Sequence, residues 1–235
     1  MTHGSVPAAL VSCIVPVFNG EPYLREALDS ILQQTYGPLQ VIVADDGSTD
    51  GSATVVASYG EQIHYLRQAN AGPSAARNLG LGAARGDFIA FLDADDLWLA
   101  DKLAKQTARF AARPDLEMSV TYLQNFWIPE LAHEAEALRG DRLTQPLPGY
   151  AMDTLLARRR VFETVGLLNT ALRHGEDTEW FLRASECGVV TELLPDVLCR
   201  RRMHHHNLTR RTAAERDADL LRNVKAHLER GRRRQ

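Results

Sequence analysis

Four short apolar runs, each parted from the next by a stretch with helical spacing, constrain this chain more than any other feature. Val11–Val17 (VSCIVPV) is β-branched and apolar throughout, the pattern of a strand buried on both faces of a parallel sheet. Residues 39–44 (LQVIVA), 63–66 and 88–92 (FIAFL) repeat the theme. Between them, Pro22 opens a helix whose face is Leu24, Ala27, Leu28, Ile31 and Leu32. Residues 53–59 read as a short helix, 73–84 as a helix with small residues for close packing, and 97–112 as a helix stopped by Pro114. Strand and helix alternating in this way predict an α/β fold, a mainly parallel sheet with helices on both faces.

The pattern weakens over residues 124–150, which hold Pro129, Pro146, Pro148 and Gly149 and read as a loop-rich excursion, a lid or an acceptor-binding segment. Periodicity returns over 154–165. A short helix over 177–186 closes at Gly188, a strand follows near 189–194, and 217–228 has the spacing of a terminal amphipathic helix. The chain therefore divides into an N-terminal stretch 1–9, a first half 10–123, a second half 124–210 of the same domain, and a basic C-terminal helix and tail 211–235. No apolar run approaches the roughly 20 residues of a membrane-spanning helix. Residues 1–9 have no basic-then-apolar pattern of a secretion signal. Cys13, Cys187 and Cys199 are odd in number, without C-x-x-C, and each lies in or beside an apolar stretch; they read as buried reduced thiols of a cytoplasmic protein.

In sheets of this kind ligands bind beyond the carboxyl ends of the strands. The second strand runs directly into DDGSTD (residues 45–50) and the fourth into DADD (93–96). Clustered carboxylates repel unless a cation joins them, and oxygen donors select Mg²⁺ or Mn²⁺. The bland reading is that such residues cap helices and shape turns; it suits Ser48, Thr49 and Asp50 better than Asp95. A carboxylate-bound metal with open positions suits a diphosphate. The chain has no G-x-x-x-x-G-K-[ST], and the glycines of 80–85 (GLGAAR) precede the fourth strand and so read as helix packing.

Residues 14–19 (IVPVFN), 45–50 (DDGSTD), 70–78 (NAGPSAARN) and 91–96 (FLDADD), in this order and spacing, resemble the family 2 glycosyltransferases of GT-A fold. Gly175-Glu176-Asp177 resembles that family's E-D element, and residues 202–209 (RMHHHNLT) its late R-x-H-x-x-N-x-[ST] element. The resemblance covers about residues 10–210 and implies a Rossmann-like nucleotide-binding half and an inverting enzyme. It would move a sugar from a nucleotide-sugar donor, UDP-linked by default, to an acceptor hydroxyl in polysaccharide or glycoconjugate synthesis.

Carried over by position, the nucleotide-binding set is Pro16, Phe18, Glu21, Asp46, Arg77 and Asp93. Within it Pro16 and Asp46 line the base, Glu21 faces the ribose, and Asp93 faces ribose or metal. Asp95 and His204 are the metal positions, with Mn²⁺ or Mg²⁺ as cofactor, and Asp177 is the general base. Glu176 is the alternative base, though its place suits it to cap the helix start. Asp45 precedes Asp46, so either could reach the base. Three consecutive histidines blur which one matches, with His205 and His206 read as exposed. A sugar nucleotidyltransferase is a weaker alternative, because the loop after the first strand (FNGEP) is acidic and not glycine-rich. A non-catalytic binding protein would not need Asp177.

Net charge is −3, unevenly placed. Residues 200–235 hold 12 Lys/Arg against 4 Asp/Glu, and residues 1–199 hold 15 against 26. Arg200, Arg201, Arg202, Arg210 and Arg211 cluster before the last helix. The tail reads either as meeting an acidic surface, such as a membrane carrying a lipid-linked acceptor, or as a solvated or dimer-forming helix. Nucleic acid is not expected, since the tail lacks interleaved aromatics and the remainder is acidic. The expected partners are thus the donor and a glycan or lipid-linked acceptor, with peripheral contact to the inner membrane face and a homodimer as further readings.

Overall fold

β1 (Val11–Val17) lies at the centre of the parallel part of the sheet, and all seven of its residues are buried. The computed structural model describes residues 8–172 and 174–207. α1 (Glu21–Leu32), β2 (Leu39–Asp45), α2 (Ser52–Ala57), β3 (Ile63–Arg67), α3 (Pro73–Ala83) and β4 (Phe88–Phe91) complete the first half. Then follow β5 (Leu97–Trp98), α4 (Lys102–Ala112), β6 (Met118–Trp127), α5 (Ala132–Ala137), β7 (Leu147–Pro148), β8 (Leu156–Arg158), α6 (Arg159–Val165), α7 (Glu176–Glu186) and β9 (Thr191–Met203). The nine-stranded sheet has the order β3-β2-β1-β4-β8-β6-β9-β5, with β7 on β6. Its long ladders (β1 with β2 and β4, β2 with β3, β6 with β9) are parallel, and the antiparallel ones span only two or three residues.

Strand alternation divides the core. Val11, Cys13, Val15 and Val17 face one cluster, with Leu24, Leu28 and Ile31 of α1 and Leu103 and Phe110 of α4. Ile14, Ile89 and Phe91 face the other, with Phe162 of α6 and Trp180 and Phe181 of α7. Full burial of each such side chain stabilises by about 1.5–3 kcal/mol, so a polar residue at any of these strand positions is strongly selected against. Gly80 lies where a Cβ would meet Ile14 Cγ2 at 2.4 Å. Gly80 thus serves helix-to-sheet packing, whereas a Cβ at Gly82 would meet nothing within 4 Å.

Several expectations are corrected. The helix read over 97–112 begins only at Lys102, because Leu97 and Trp98 pair antiparallel with Arg200 and Cys199. The strand read over 189–194 extends as β9 to Met203, held by its ladder with β6. β6 itself crosses the 123/124 boundary, and 124–150 contains α5 and β7 besides loops. Cys13 and Cys199 are buried free thiols, but Cys187 is exposed. Arg200–Arg202 lie in β9: Arg200 is exposed, Arg201 half-buried, and Arg202 buried with its Nη2 2.8 Å from Glu26. The helix expected over 217–228 lies outside the described residues. No helix among the described residues is long and apolar enough to cross a membrane.

Candidate active site

The end of β4 and the N-terminus of α7 meet around one guanidinium. Arg77, on the buried face of α3, donates from Nη2 to Asp93 at 2.7 Å and from Nη1 to Glu176 at 3.2 Å. Its Nη1 is 3.6 Å from Asp177 Oδ1, and its Nε is buried without a hydrogen-bond partner. Burial alone would discharge this group, but the carboxylates of Asp93, Asp177 and Glu176 outweigh it and raise the pKa well above the usual value. Asp177 stands in the first turn of α7, where the helix dipole favours its charge. Its Oδ2 accepts from Met152 N–H at 3.0 Å, its Oδ1 has no hydrogen-bond partner, and the side chain is 25 % exposed. Burial, then the charge of Asp177, raises the Glu176 pKa against the pull of Arg77.

The DADD cluster fans out. Asp93 is held by Arg77, while its backbone N–H donates to Asp153 Oδ1 at 3.0 Å. Asp95 Oδ2 lies 2.8 Å from His204 Nε2 and 3.5 Å from Asn207 Nδ2. Asp96 turns inward and accepts from Arg202 N–H at 2.8 Å. Of the three histidines only His204 is buried, and the tight turn is tied by Asn207, whose Oδ1 accepts from His204 N–H and whose Nδ2 donates to Arg202 O. His204 Nδ1 accepts from His206 N–H, so Nε2 carries the ring proton and donates to Asp95. By donor chemistry Asp95 and the His204 imidazole would suit a divalent ion, while Asp93 is committed to Arg77. Ligation by His204 Nε2 would move its proton to Nδ1 and release the His206 N–H.

The remaining predicted positions are spread along the rim. Asp46 is almost fully buried, and its carboxylate accepts from Ala71 N–H (2.9 Å), Gly72 N–H (2.8 Å) and Gln68 Nε2 (2.7 Å), which shapes the loop leading into α3. Asp45 points away, to Tyr65 Oη and Ser48 N–H. Glu21 turns toward α2, where Oε2 accepts from Gly51 N–H at 2.8 Å. Pro16 is buried within β1 opposite Ala44, and Phe18, just past the strand end, is 53 % exposed.

Sequence reasoning missed Asp153. Buried beneath the rim, it carries a pKa pushed up to about 7, first by burial and then by the charge of Asp93. With Asp96 and Cys199 it forms the only group of three close His, Cys, Asp or Glu ligand atoms among the described residues, so Asp93, Asp95 and His204 do not form one. Burial and neighbouring carboxylates raise Asp96, and burial raises the Cys199 thiol, so this cluster retains protons. A lone Asp in a segment without periodicity gives no signal in sequence.

Comparison with known proteins bears on the family. A family model described as glycosyl transferase family 2 matches residues 12–166. An uncharacterised glycosyltransferase of Rickettsia prowazekii is 31 % identical over 189 residues, covering 75 % of this chain and 59 % of that protein. The uncharacterised glycosyltransferase EpsJ of Bacillus subtilis is 31 % identical over 218 residues, covering 85 % and 63 %. This chain thus spans about three fifths of the length of these relatives. Among solved structures, the mannosyltransferase PcManGT of Pyrobaculum calidifontis, in complex with GDP-Man and Mn²⁺, superposes with a TM-score of 0.69 at 24 % identity, covering 95 % of this chain and 64 % of that one. S. aureus TarS 1-349 in complex with UDP-GlcNAc gives 0.67 at 20 %, covering 84 % and 59 %. These structures share the GT-A fold expected from sequence. The strand-end rim, the ARN and DADD elements in register and the match over residues 12–166 lead to one conclusion: the chain belongs to glycosyl transferase family 2.

Proposed function

We propose that this chain is an inverting glycosyltransferase that uses a nucleotide-sugar donor, with a divalent metal, and transfers the sugar to an acceptor hydroxyl. The observation that carries this reading is the Arg77 bridge, which joins Asp93 on the donor rim to Asp177 at the start of α7. A carboxylate is thereby held near the donor site without being a metal ligand. Asp177 accepts the acceptor's hydroxyl proton as its oxygen attacks C1 of the sugar; the bond from C1 to the diphosphate oxygen breaks on the opposite side, which inverts C1. A Mn²⁺ or Mg²⁺ ion at Asp95, beside His204, supplies Lewis-acid neutralisation of the leaving diphosphate. Phe18, Asp46 and Pro16 form the base side of the site, and Arg77, Glu21 and Asp93 its ribose side. In the structure as it stands, Arg77, Glu21 and Asp46 are engaged with the chain itself and Pro16 is buried in β1, so in this reading their role is to shape the pocket.

UDP is the default nucleotide, and the relatives' complexes with UDP-GlcNAc and with GDP-Man define the first donors to try. The experiment is a panel of nucleotide sugars, scored for released nucleotide with and without Mn²⁺, for the parent and Asp177→Asn. Release from at least one donor is expected, with turnover lowered about 10²–10⁴-fold by Asp177→Asn and nucleotide affinity retained. Equal loss of nucleotide affinity would move Asp177 into the donor pocket. The acceptor is read as a glycan or a lipid-linked glycan at a cytoplasmic membrane face, reached through the basic tail. Sedimentation with anionic and neutral vesicles across a salt series tests that contact, and equal binding to both at low salt discards it.

A further inference from the structure

Two aromatic side chains among the described residues are exposed, Phe18 at 53 % and Tyr150 at 54 %. Phe18 follows β1 on the nucleotide side. Tyr150 stands two residues before Met152, whose N–H holds Asp177 Oδ2. The Tyr150 ring packs edge-on against Phe181, at 5.7 Å and 89°, and Phe181 lies one turn along α7 from Asp177. The ring therefore shares both of its supports with the carboxylate.

The segment carrying Tyr150 is pinned. Gly149 N–H donates to Thr121 O of β6 at 3.0 Å, and Thr154 Oγ1 donates to Gly149 O and to Ala151 O. A Cβ on Gly149 would meet Thr154 Cγ2 at 2.4 Å and Thr121 O at 2.5 Å, so only glycine lets the backbone lie this close to β6. A half-exposed ring on such a support is a preformed platform, ordered before any ligand arrives, and so binds at low entropic cost. Aromatic faces pack on the apolar C–H face of a sugar ring and leave its hydroxyls free for polar partners.

We infer that Tyr150 is the acceptor platform: it stacks on a pyranose ring of the acceptor and so brings one of that ring's hydroxyls to Asp177 Oδ2. The inference rests on the glycosyltransferase reading and names the acceptor class as a cyclic sugar in preference to an acyclic alcohol. Exclusion of bulk water from the ring face and alignment of the hydroxyl follow from one contact.

The test is saturation-transfer NMR with methyl glycosides of glucose, galactose, mannose and N-acetylglucosamine and with glycerol, in the presence of UDP or GDP and Mn²⁺. Parent, Tyr150→Ala, Tyr150→Phe and Tyr150→Trp are compared, with nucleotide affinity measured by calorimetry on the same samples. The expected result is transfer to the C–H protons of one face of at least one glycoside and none to glycerol. Tyr150→Ala should weaken glycoside binding roughly five- to tenfold, while both aromatic variants retain it and nucleotide affinity stays unchanged in all. Equal glycoside binding by Tyr150→Ala, or no glycoside binding by a parent that binds nucleotide, overturns the inference. A parent that binds no nucleotide refutes the underlying reading instead, so the two failures are separable.

Discussion

Removing the Arg77 charge should destabilise the fold far more than a surface ligand contact would. The guanidinium side chain is 4 % exposed and lies 2.7, 3.2 and 3.6 Å from carboxylate oxygens of Asp93, Glu176 and Asp177. Deleting one partner of a buried ion pair costs about 3–5 kcal/mol, because the other charge is left behind in low dielectric. Here that charge is chiefly Glu176, 12 % exposed; Asp93 and Asp177 are 36 % and 25 % exposed, and water screens their share. The cost of Arg77→Met is therefore placed near the low end, about 3 kcal/mol, or roughly 6–12 °C in Tm for a chain of this size. The loss should also depend on pH. Without the guanidinium the lowering pull on Asp93 and Glu176 is lost, their folded-state pKa values rise further, and the folded state binds more protons than the unfolded. Stability then falls as pH rises through that range, and protonation restores it at lower pH. Urea unfolding at pH 8 and pH 5.5 should show a smaller difference between variant and parent at pH 5.5. Arg77→Lys, with a single ammonium unable to span Asp93 and Glu176 together, should lose about half as much. A loss below about 1 kcal/mol at pH 8, or one that grows at pH 5.5, would refute this account and leave Arg77 as a nucleotide contact only.

Asp95→Asn should abolish the Mn²⁺ dependence of nucleotide binding, measured by calorimetry with Mn²⁺ and with chelator; unchanged Mn²⁺ dependence would remove Asp95 from the metal site. Asp153, buried and pushed up to about 7, lies above its unfolded value, so its ionisation costs stability as pH climbs from about 4 to 7 and the penalty is complete above that. Asp153→Asn should flatten this part of the stability–pH curve in chelator, read from urea midpoints between pH 5 and 8. A slope identical to the parent's would show that Asp153 titrates normally.

The parallel half of the fold was legible because its information is local. β1, β2 and β4 are apolar without interruption, and the α1 face repeats every three or four residues. The second half depends on partners far along the chain. Leu97 and Trp98 have helix-compatible surroundings, yet they pair with β9 residues about a hundred positions away, and that pairing sets where α4 begins. β9 continues through Arg200, Arg201 and Arg202, a run that reads as solvated surface. It is accommodated because Arg200 and Arg202 lie over the Phe126 ring at 4.5 and 4.8 Å, and Arg202 also over Tyr23 at 4.7 Å. Arg200 keeps one side of its guanidinium in water, while Arg202 is buried against two rings with its charge met by Glu26; a planar guanidinium packs on aromatic faces in a strand where a lysine would be less suited.

The site shows the same division at finer scale. The sequence marks DADD as a carboxylate cluster, but it does not assign the three aspartates, since each is assigned by a different distant partner. Arg77, 16 residues earlier, takes Asp93; His204, 109 residues later, takes Asp95; the Arg202 backbone, 106 residues later, takes Asp96. Adjacent in sequence, these carboxylates differ in chemistry because the chain supplies a fixed cation to the first, an imidazole to the second and only an N–H, in a buried setting, to the third. Asp93 is thereby tied to the Arg77 guanidinium, although burial still raises its pKa, Asp95 keeps an open edge for a cation, and Asp96 is driven toward its protonated form by burial and by the other carboxylates. The late R-x-H-x-x-N element matters to this division as a unit. Arg202 fixes Asp96 through its N–H and the Asp95 carbonyl through its Nε, and Asn207 closes the turn that presents His204. Loss of Asn207 would therefore act on Asp95 both through the turn that presents His204 and by removing its own Nδ2, 3.5 Å from Asp95 Oδ2.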